Sequence, residues 1–144
     1  MKNILFLVIT ILSFSCGSGS TATPEQKQEA EKWKSVMANH DVVMPMMGTT
    51  NKVRKGLKAV LKKSEGLEAA TITKVNGLIA ALNKADDSMM DWMQGYKKLG
   101  ELQKTKSHEE ILQYLTVEET KINKVKDLMD ASIENGKAFL ATVK

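Results

Sequence analysis

The stretch that decides the fold runs from residue 107 to residue 143 and reads SHEEILQYLTVEETKINKVKDLMDASIENGKAFLATV. It opens with a capping box, because the Ser107 side chain is placed to cap a helix and Glu110 is placed to bond back to it. Mostly apolar residues then recur at steps of three and four, the spacing of one helix face. That face is Ile111, Leu115, Glu118, Ile122, Val125, Met129, Ser132, Gly136, Phe139 and Val143. The pattern predicts one long helix with a buried stripe.

A helix is also predicted over residues 24–63. It opens with another capping box at Thr23 and has Pro24 at its first position. Pro45 lies inside this helix and has no N–H to offer the carbonyl of Asp41, so we expect a kink or a full break there. The predicted stripe is Trp33, Met37, His40, Met44, Met47, Val53, Leu57, Val60 and Leu61.

The third helix is predicted over 67–98, with Gly66 and Gly100 close to the turns. Its stripe is Ile72, Val75, Ile79, Leu82, Asp86, Met89, Met93 and Tyr96. Few aromatic residues (5%) and both prolines before residue 46 favour helices over strands. The sequence therefore predicts an all-α, up-down-up three-helix bundle over 24–144 with a proline kink in its first helix.

Residues 1–15 are predicted to be a signal peptide. The apolar run Ile4–Leu12 is shorter than the roughly 20 residues of a membrane span, but it fits the apolar region of a cleaved signal. The only cysteine, Cys16, comes directly after residue 15. It begins a stretch of small and polar residues, 16–23, that is typical of a flexible tether. With one thiol, no intrachain disulfide can form.

This segment resembles a bacterial lipoprotein signal, although Leu12 lies one place further from Cys16 than the usual leucine. The resemblance implies cleavage before Cys16 and a lipid on that residue. Because Gly17 follows where some lipoproteins carry aspartate, the resemblance implies an outer-membrane lipoprotein facing the periplasm, with surface display as an alternative. The same residues would also fit a buried N-terminal helix with a core cysteine, or an ordinary signal with an incidental cysteine.

The chain carries a net charge of +4, and the basic surplus is expected to be spread along it. Such a surplus attracts anionic headgroups or envelope polymers weakly. The expected partners are the membrane, through the lipid on Cys16, and other envelope proteins. Nucleic acid is not expected, because the protein is exported and no stacking aromatics interleave the lysines.

Unusual residues are predicted to meet in one layer of the bundle. An antiparallel pair of helices turning near residue 65 places His40 level with Met90 and Met44 level with Asp86. Pro45 lies at the same level. The full predicted layer is Met37, His40, Met44, Met47, Asp86, Met89, Met93 and Glu118.

Two hypotheses compete for this layer. In the first, methionines fill the irregular space at the kink, and His40 forms a buried polar pair with Asp86 that fixes the register. In the second, thioether sulfurs and an imidazole form a soft-metal site for Cu(I). The candidate ligands are His40, Met37, Met44, Met47, Met89 and Met93. Haem ligation and a ligand or peptide groove at the kink are further alternatives.

No catalytic motif is recognised in the sequence. His108 is predicted to be a surface residue at the start of its helix, and the acidic pair at Asp86 lacks the second histidine of a di-metal centre. We therefore expect a non-enzymatic, lipid-anchored envelope protein with a structural or interaction role and no cofactor. Periplasmic Cu(I) binding is the alternative.

Three segments carry a family resemblance. They are 40–48 (HDVVMPMMG), 85–93 (ADDSMMDWM) and 107–110 (SHEE). Together they touch all three predicted helices. The chain resembles small exported bacterial lipoproteins of uncharacterised function, some labelled "viral A-type inclusion protein". The resemblance implies export and a helical fold, and it implies no activity.

Overall fold

The computed structural model describes residues 22–63, 66 and 68–143. Every regular element in these residues is a helix, which confirms the all-α prediction. In chain order they are α1 (Pro24–Val43), α2 (Met46–Lys62), α3 (Ala69–Gly95), α4 (Leu99–Leu102) and α5 (His108–Thr142). The predicted signal peptide, Cys16 and most of the tether lie outside the described residues.

The helices run up, down and up. α3 returns antiparallel to α2, since Arg54 on α2 bonds to Asn83 and Asp86 on α3. α5 runs parallel to α1 and α2, because Lys32 in α1 pairs with Glu119 early in α5, and Val53 in α2 lies against Gly136 late in α5. One long bent helix, α1 plus α2, therefore packs along α5 over nearly its whole length.

Of the kink or full break predicted at Pro45, the structure has a bend at Met44 and Pro45, between α1 and α2. Met44 and Pro45 both keep right-handed helical backbone angles. The N–H groups of Met47 and Gly48 bond to the carbonyls of Met44 and Pro45, at 3.2 and 3.1 Å. Pro45 cannot donate a bond to the carbonyl of Asp41, and these tight i to i+3 bonds follow directly after it. The helix direction therefore bends there and the chain continues.

The two predicted capping boxes are both present. Thr23 exchanges hydrogen bonds with Gln26 at the start of α1, and Ser107 exchanges them with Glu110 at the start of α5. Gly66 adopts φ +99°, a backbone conformation that favours glycine, at the predicted first turn. Gly100, by contrast, lies within the short helix α4.

The stripe of α5 was predicted almost completely. All of its positions from Ile111 to Phe139 are buried, and Val143 at the helix end is exposed. α5 contacts α1, α2 and α3, so its buried face forms the centre of the core.

The first-helix stripe was predicted off centre in α1, whereas in α2 its residues Val53 and Leu57 are buried as predicted. The buried positions of α1 are Glu29, Val36 and Val43, and the same seven-residue spacing leads to Thr50, whereas Trp33, Met37 and His40 flank that line. The apolar-residue pattern missed this centre because Glu29 and Thr50 are polar. Ile72 was also wrong, since it is 38% exposed at the start of α3.

Candidate functional site

Asp86 has partners other than the predicted His40. Its Oδ1 accepts a hydrogen bond from the Thr50 hydroxyl at 2.6 Å, and its Oδ2 accepts one from Arg54 Nη1 at 2.7 Å. Residues near 50 and 54 therefore lie level with Asp86, where the sequence placed Met44. The register of α3 against α2 therefore differs from the predicted one by more than one helical turn.

His40 lies at the side of the core close to Trp92. Its ring centroid is 5.7 Å from that of Trp92, and its Nδ1 is 2.9 Å from Oδ1 of Asp41, the next residue. The side chain is 18% exposed. The predicted pair with Asp86 is thus replaced by two separate sets of polar contacts.

The methionines of the predicted layer differ widely in exposure. Met89 is fully buried, Met47 and Met93 are partly buried against the core, and Met44 is 38% exposed. Met37 is half-buried. Two further methionines outside the predicted set, Met46 and Met129, also pack in or against the core. Core packing therefore accounts for Met89 and Met129 most directly.

An aromatic ladder continues from His40 across the bundle. Trp92 stacks on Tyr96 with centroids 4.9 Å apart, and Tyr96 lies 6.3 Å from Tyr114. The Tyr114 hydroxyl accepts a hydrogen bond from the backbone N–H of Lys97 at 2.8 Å, which ties the end of α3 to α5. The ladder thus fixes the level at which α3 ends.

A buried carboxylate lies beside this ladder. Glu118 on α5 is 3% exposed and accepts a hydrogen bond from Lys121 Nζ at 2.8 Å. A groove of about 320 Å³ opens between α3 and α5 here, lined by Ser88, Asp91, Trp92, Gly95, Glu118, Lys121 and Val125. Glu118 was predicted from the sequence to lie level with the α3 residues Met89 and Met93. Its position in the groove beside Trp92 of α3 is consistent with that prediction.

The tyrosines beside Glu118 are held neutral. Burial raises the pKa of Tyr96 far above its usual 10.0, and the nearby Tyr114 and Glu118 raise it further. Burial also raises the pKa of Tyr114, with Glu118 adding to the effect. Both phenols therefore stay protonated at physiological pH. The Tyr114 hydroxyl accepts the bond from Lys97, whereas the buried Tyr96 hydroxyl has no hydrogen-bond partner among the described residues, so Tyr96 serves as a packing group.

A second polar cluster, at the start of the bundle, was missed by the sequence analysis. Glu29 on α1 is 4% exposed, accepts a hydrogen bond from Gln103 Nε2 at 2.7 Å, and lies 2.9 Å from Nδ1 of His108. The other ring nitrogen of His108 lies 3.1 Å from Oε1 of Gln28. His108 is therefore a bridging residue between α1 and α5, and the prediction of a surface role was wrong.

Opposing effects act on the Glu29 carboxyl. Burial tends to raise its pKa, whereas the hydrogen bonds from Gln103 and His108, together with the charge of His108, lower it. The lowering effects prevail, so the pKa of Glu29 lies below its ordinary 4.5. The charged form of Glu29 therefore stabilises the joint between α1 and α5.

The basic surplus is concentrated in residues 46–63, contrary to the expectation that it is spread along the chain. Residues 46–63 contain six basic residues and no acidic one. Arg54 is directed to α3, and the other five are exposed on the side of α2 opposite Val53 and Leu57. At 100° per residue they fall within an arc of about 140°. This lysine face consists of Lys52, Lys55, Lys58, Lys62 and Lys63.

Comparison of the chain with known protein families, with curated proteins and with solved structures found no match. Within the described residues, no group of three or more His, Cys, Asp or Glu side chains is placed to hold a metal ion. No helix in this part of the chain is both long and apolar enough to cross a bilayer.

Proposed function

We propose that this protein is a lipid-anchored helical bundle of the cell envelope, with a structural or protein-interaction role and no catalysis. The observation that carries the proposal is where the first helix starts: Thr23 caps α1 only seven residues after Cys16. Seven extended residues span at most about 25 Å. A lipid on Cys16 would therefore hold this end of the bundle close to a bilayer.

The start of α1 is joined firmly to the rest of the bundle, which supports an anchoring role. Glu29 binds Gln103 and His108, and Lys32 pairs with Glu119, so the first turns of α1 are bonded to α5 and to the segment before it. A tether attached here would restrain the whole domain and not merely a frayed helix end.

The proposed location is the outer membrane, with the bundle in the periplasm. The proposal rests on Gly17 after Cys16 and on the resemblance to exported bacterial lipoproteins. The proposed partners are the membrane and other envelope proteins. The alternative is display of the bundle on the cell surface, which cleavage by protease added to intact cells would reveal.

The test is intact mass analysis of protein extracted from membranes with detergent. We expect a mature chain that begins at a lipid-modified Cys16 and fractionates with membranes. The matched variant, Cys16→Ser, should lack the lipid and should not give the membrane-anchored mature form. Its circular dichroism melt should be the same as that of the wild type. A soluble mature chain beginning at another residue would refute the anchor.

A second candidate function, Cu(I) binding, is favoured by the orientation of His40. A metal-binding imidazole usually has its second ring nitrogen bonded to a carboxylate or carbonyl, and Nδ1 of His40 is so placed against Asp41. Nε2 has no hydrogen bond among the described residues and remains open. Met47 and Met93 are partly buried against the core to which Trp92 belongs, and Trp92 is the ring that lies beside His40.

Replacement of Met44, Met47, Met89 and Met93 by leucine tests this candidate. Leucine has a similar volume, so each change should cost less than about 1.5 kcal/mol, but it offers no sulfur ligand. Titration with Cu(I) against a competing chelator should show binding by the wild type and by the control Met129→Leu, and none by the fourfold variant. If the wild type binds no better than that variant, the methionines serve packing alone.

A further inference from the structure

We propose that the lysine face of α2 docks onto an anionic phospholipid surface, so that the bundle lies along the membrane and does not stand upright on its tether. The inference rests on the proposed anchor only for the nearness of a bilayer. The charge pattern, the shape of the face and its place in the fold carry the rest of the argument.

This face holds a local surplus of positive charge. Six basic residues between 46 and 63 exceed the net charge of +4, so the remainder of the chain is net negative. Four lysines elsewhere form ion pairs, namely Lys32, Lys106, Lys121 and Lys126. No ion pair of a lysine on the α2 face is found among the described residues. The face is therefore available to an external anionic surface.

Small residues between the lysines make this face smooth. Gly48, Asn51 and Ala59 share the exposed side of α2 with the lysines. None of the large exposed apolar side chains of the described residues lies in α2. Lysine ammonium groups can therefore reach a flat layer of phosphates without bulky side chains in between. Without apolar wedges, the contact would be peripheral and would leave the acyl chains undisturbed.

The same composition argues against a protein or nucleic-acid partner. Protein interfaces centre on buried aromatic, methionine or arginine side chains, and this face has none. Nucleic-acid surfaces add stacking aromatics or arginine to lysine. Arg54, the only arginine of the chain, is directed inward to Asp86. A row of flexible point charges suits a diffuse layer of lipid phosphates.

The position of α2 gives the docking a mechanical consequence. α1 is 20 residues long, so α2 begins about 30 Å from the tethered end at 1.5 Å per residue. An upright bundle would keep the lysine face well beyond the Debye length of about 8 Å. Contact of the face with the bilayer therefore requires the bundle to recline. A lipid anchor on Cys16 would favour this contact, because it would raise the effective concentration of the lysine face at the bilayer.

The experiment measures co-flotation of the full chain, without acylation, with phosphatidylcholine vesicles and with vesicles that also contain phosphatidylglycerol. Insertion of the apolar N-terminal run into the bilayer would contribute equally to vesicle binding by all variants. Binding to the phosphatidylcholine vesicles measures this contribution. The test variant replaces four lysines of the face, Lys52, Lys55, Lys58 and Lys62, by glutamine. The matched control replaces four exposed lysines outside α2 that have no ion pair among the described residues: Lys34, Lys84, Lys124 and Lys137.

A lysine near an anionic surface strengthens binding by about fivefold. The wild type should therefore prefer anionic vesicles, and the test variant should lose about two to three orders of magnitude of that preference. The control, with the same net charge, should lose less than about tenfold. High salt should remove the preference in the wild type. Circular dichroism melts should show that both variants remain folded.

Two results would overturn the proposal. Equal losses in the test and control variants would show that net charge, and not the α2 face, governs binding. Displacement from vesicles by an anionic polysaccharide or by DNA at equal charge concentration would assign the face to a polymer. Because the assay uses unacylated protein, failure of the anchor at Cys16 would leave its result unchanged, so the two proposals fail separately.

Discussion

Arg54, the only arginine of the chain, donates a hydrogen bond from Nη1 to Oδ2 of Asp86 over 2.7 Å and so joins α2 to α3. The side chains of the pair are only 19% and 15% exposed. Thr50 donates to the other oxygen of Asp86. A carboxylate in the seam of the bundle would be costly without partners, and here each of its oxygens has a donor.

Asp86→Asn should therefore destabilise the bundle by about 2–3 kcal/mol, because it removes a charge-assisted bond and leaves Arg54 partly buried without its counter-charge. Urea unfolding followed by circular dichroism measures the effect. Asp87→Asn is the control: Asp87 is exposed, so its change should stay within about 0.5 kcal/mol. Equal effects at the two positions would contradict the structural role of the pair.

Gly136 allows α5 to approach α2 closely. A Cβ atom at this position would lie 2.4 Å from Cγ1 of Val53, which is itself buried. Gly136→Ala should therefore cost about 1–3 kcal/mol through overpacking. The change should lower the urea midpoint and leave the unfolding slope unchanged.

Gly77 provides the matched control, since it lies within α3 and a Cβ there meets no atom within 4 Å. Gly77→Ala should stabilise the protein by about 0.5–1 kcal/mol through helix propensity. Adding Val53→Ala to Gly136→Ala should recover part of the loss by removing the clash. Additive costs in the double variant would argue against that contact.

The pH dependence of stability should reflect Glu29. Its pKa is lower in the folded protein than the ordinary 4.5, so the folded state binds fewer protons than the unfolded state. Its contribution is therefore complete above pH 4.5 and is lost as the pH falls through the folded value. Thermal melts at decreasing pH should show a decline that begins below pH 4.5 and is shallower in Glu29→Gln.

Glu31→Gln serves as the control for this measurement. Glu31 is an exposed carboxyl on the same helix, without a hydrogen bond to another side chain in the described structure. The control should keep the wild-type pH profile. A Glu29→Gln profile that matches the wild type would mean that the joint of Glu29 with His108 and Gln103 contributes nothing to acid sensitivity.

Two positions of the predicted α3 stripe should respond very differently to a charge. Leu82 is fully buried and Ile72 is 38% exposed. Leu82→Asp should destabilise the protein by more than about 3 kcal/mol, because it buries an unpaired carboxylate, whereas Ile72→Asp should cost less than about 1 kcal/mol. Thermal melts of the two variants measure the difference. The apolar periodicity placed both residues in the buried stripe and would predict similar losses of stability, whereas the observed burial predicts a large loss only at Leu82.

Local signals predicted most of the backbone. The capping residues Thr23 and Ser107, the stripe of α5 and the place of Gly66 close to a turn all depend on residues close together in the chain. Pro45 was recognised as a disruption for the same reason. Whether it kinked or broke the helix depended on packing, because α1 and α2 both lie against α5.

The sequence by itself determined that this chain forms helices, where α1 and α5 begin, and which face of α5 is buried, since these follow from spacing and capping within one segment. Tertiary structure decided the partners of the polar groups: Asp86 with Arg54, Glu29 with His108, and Glu118 beside Tyr96. Those pairings depend on the register between helices. Two helices can slide past each other by several residues without a change in the apolar spacing of either one, so spacing alone could not predict the register.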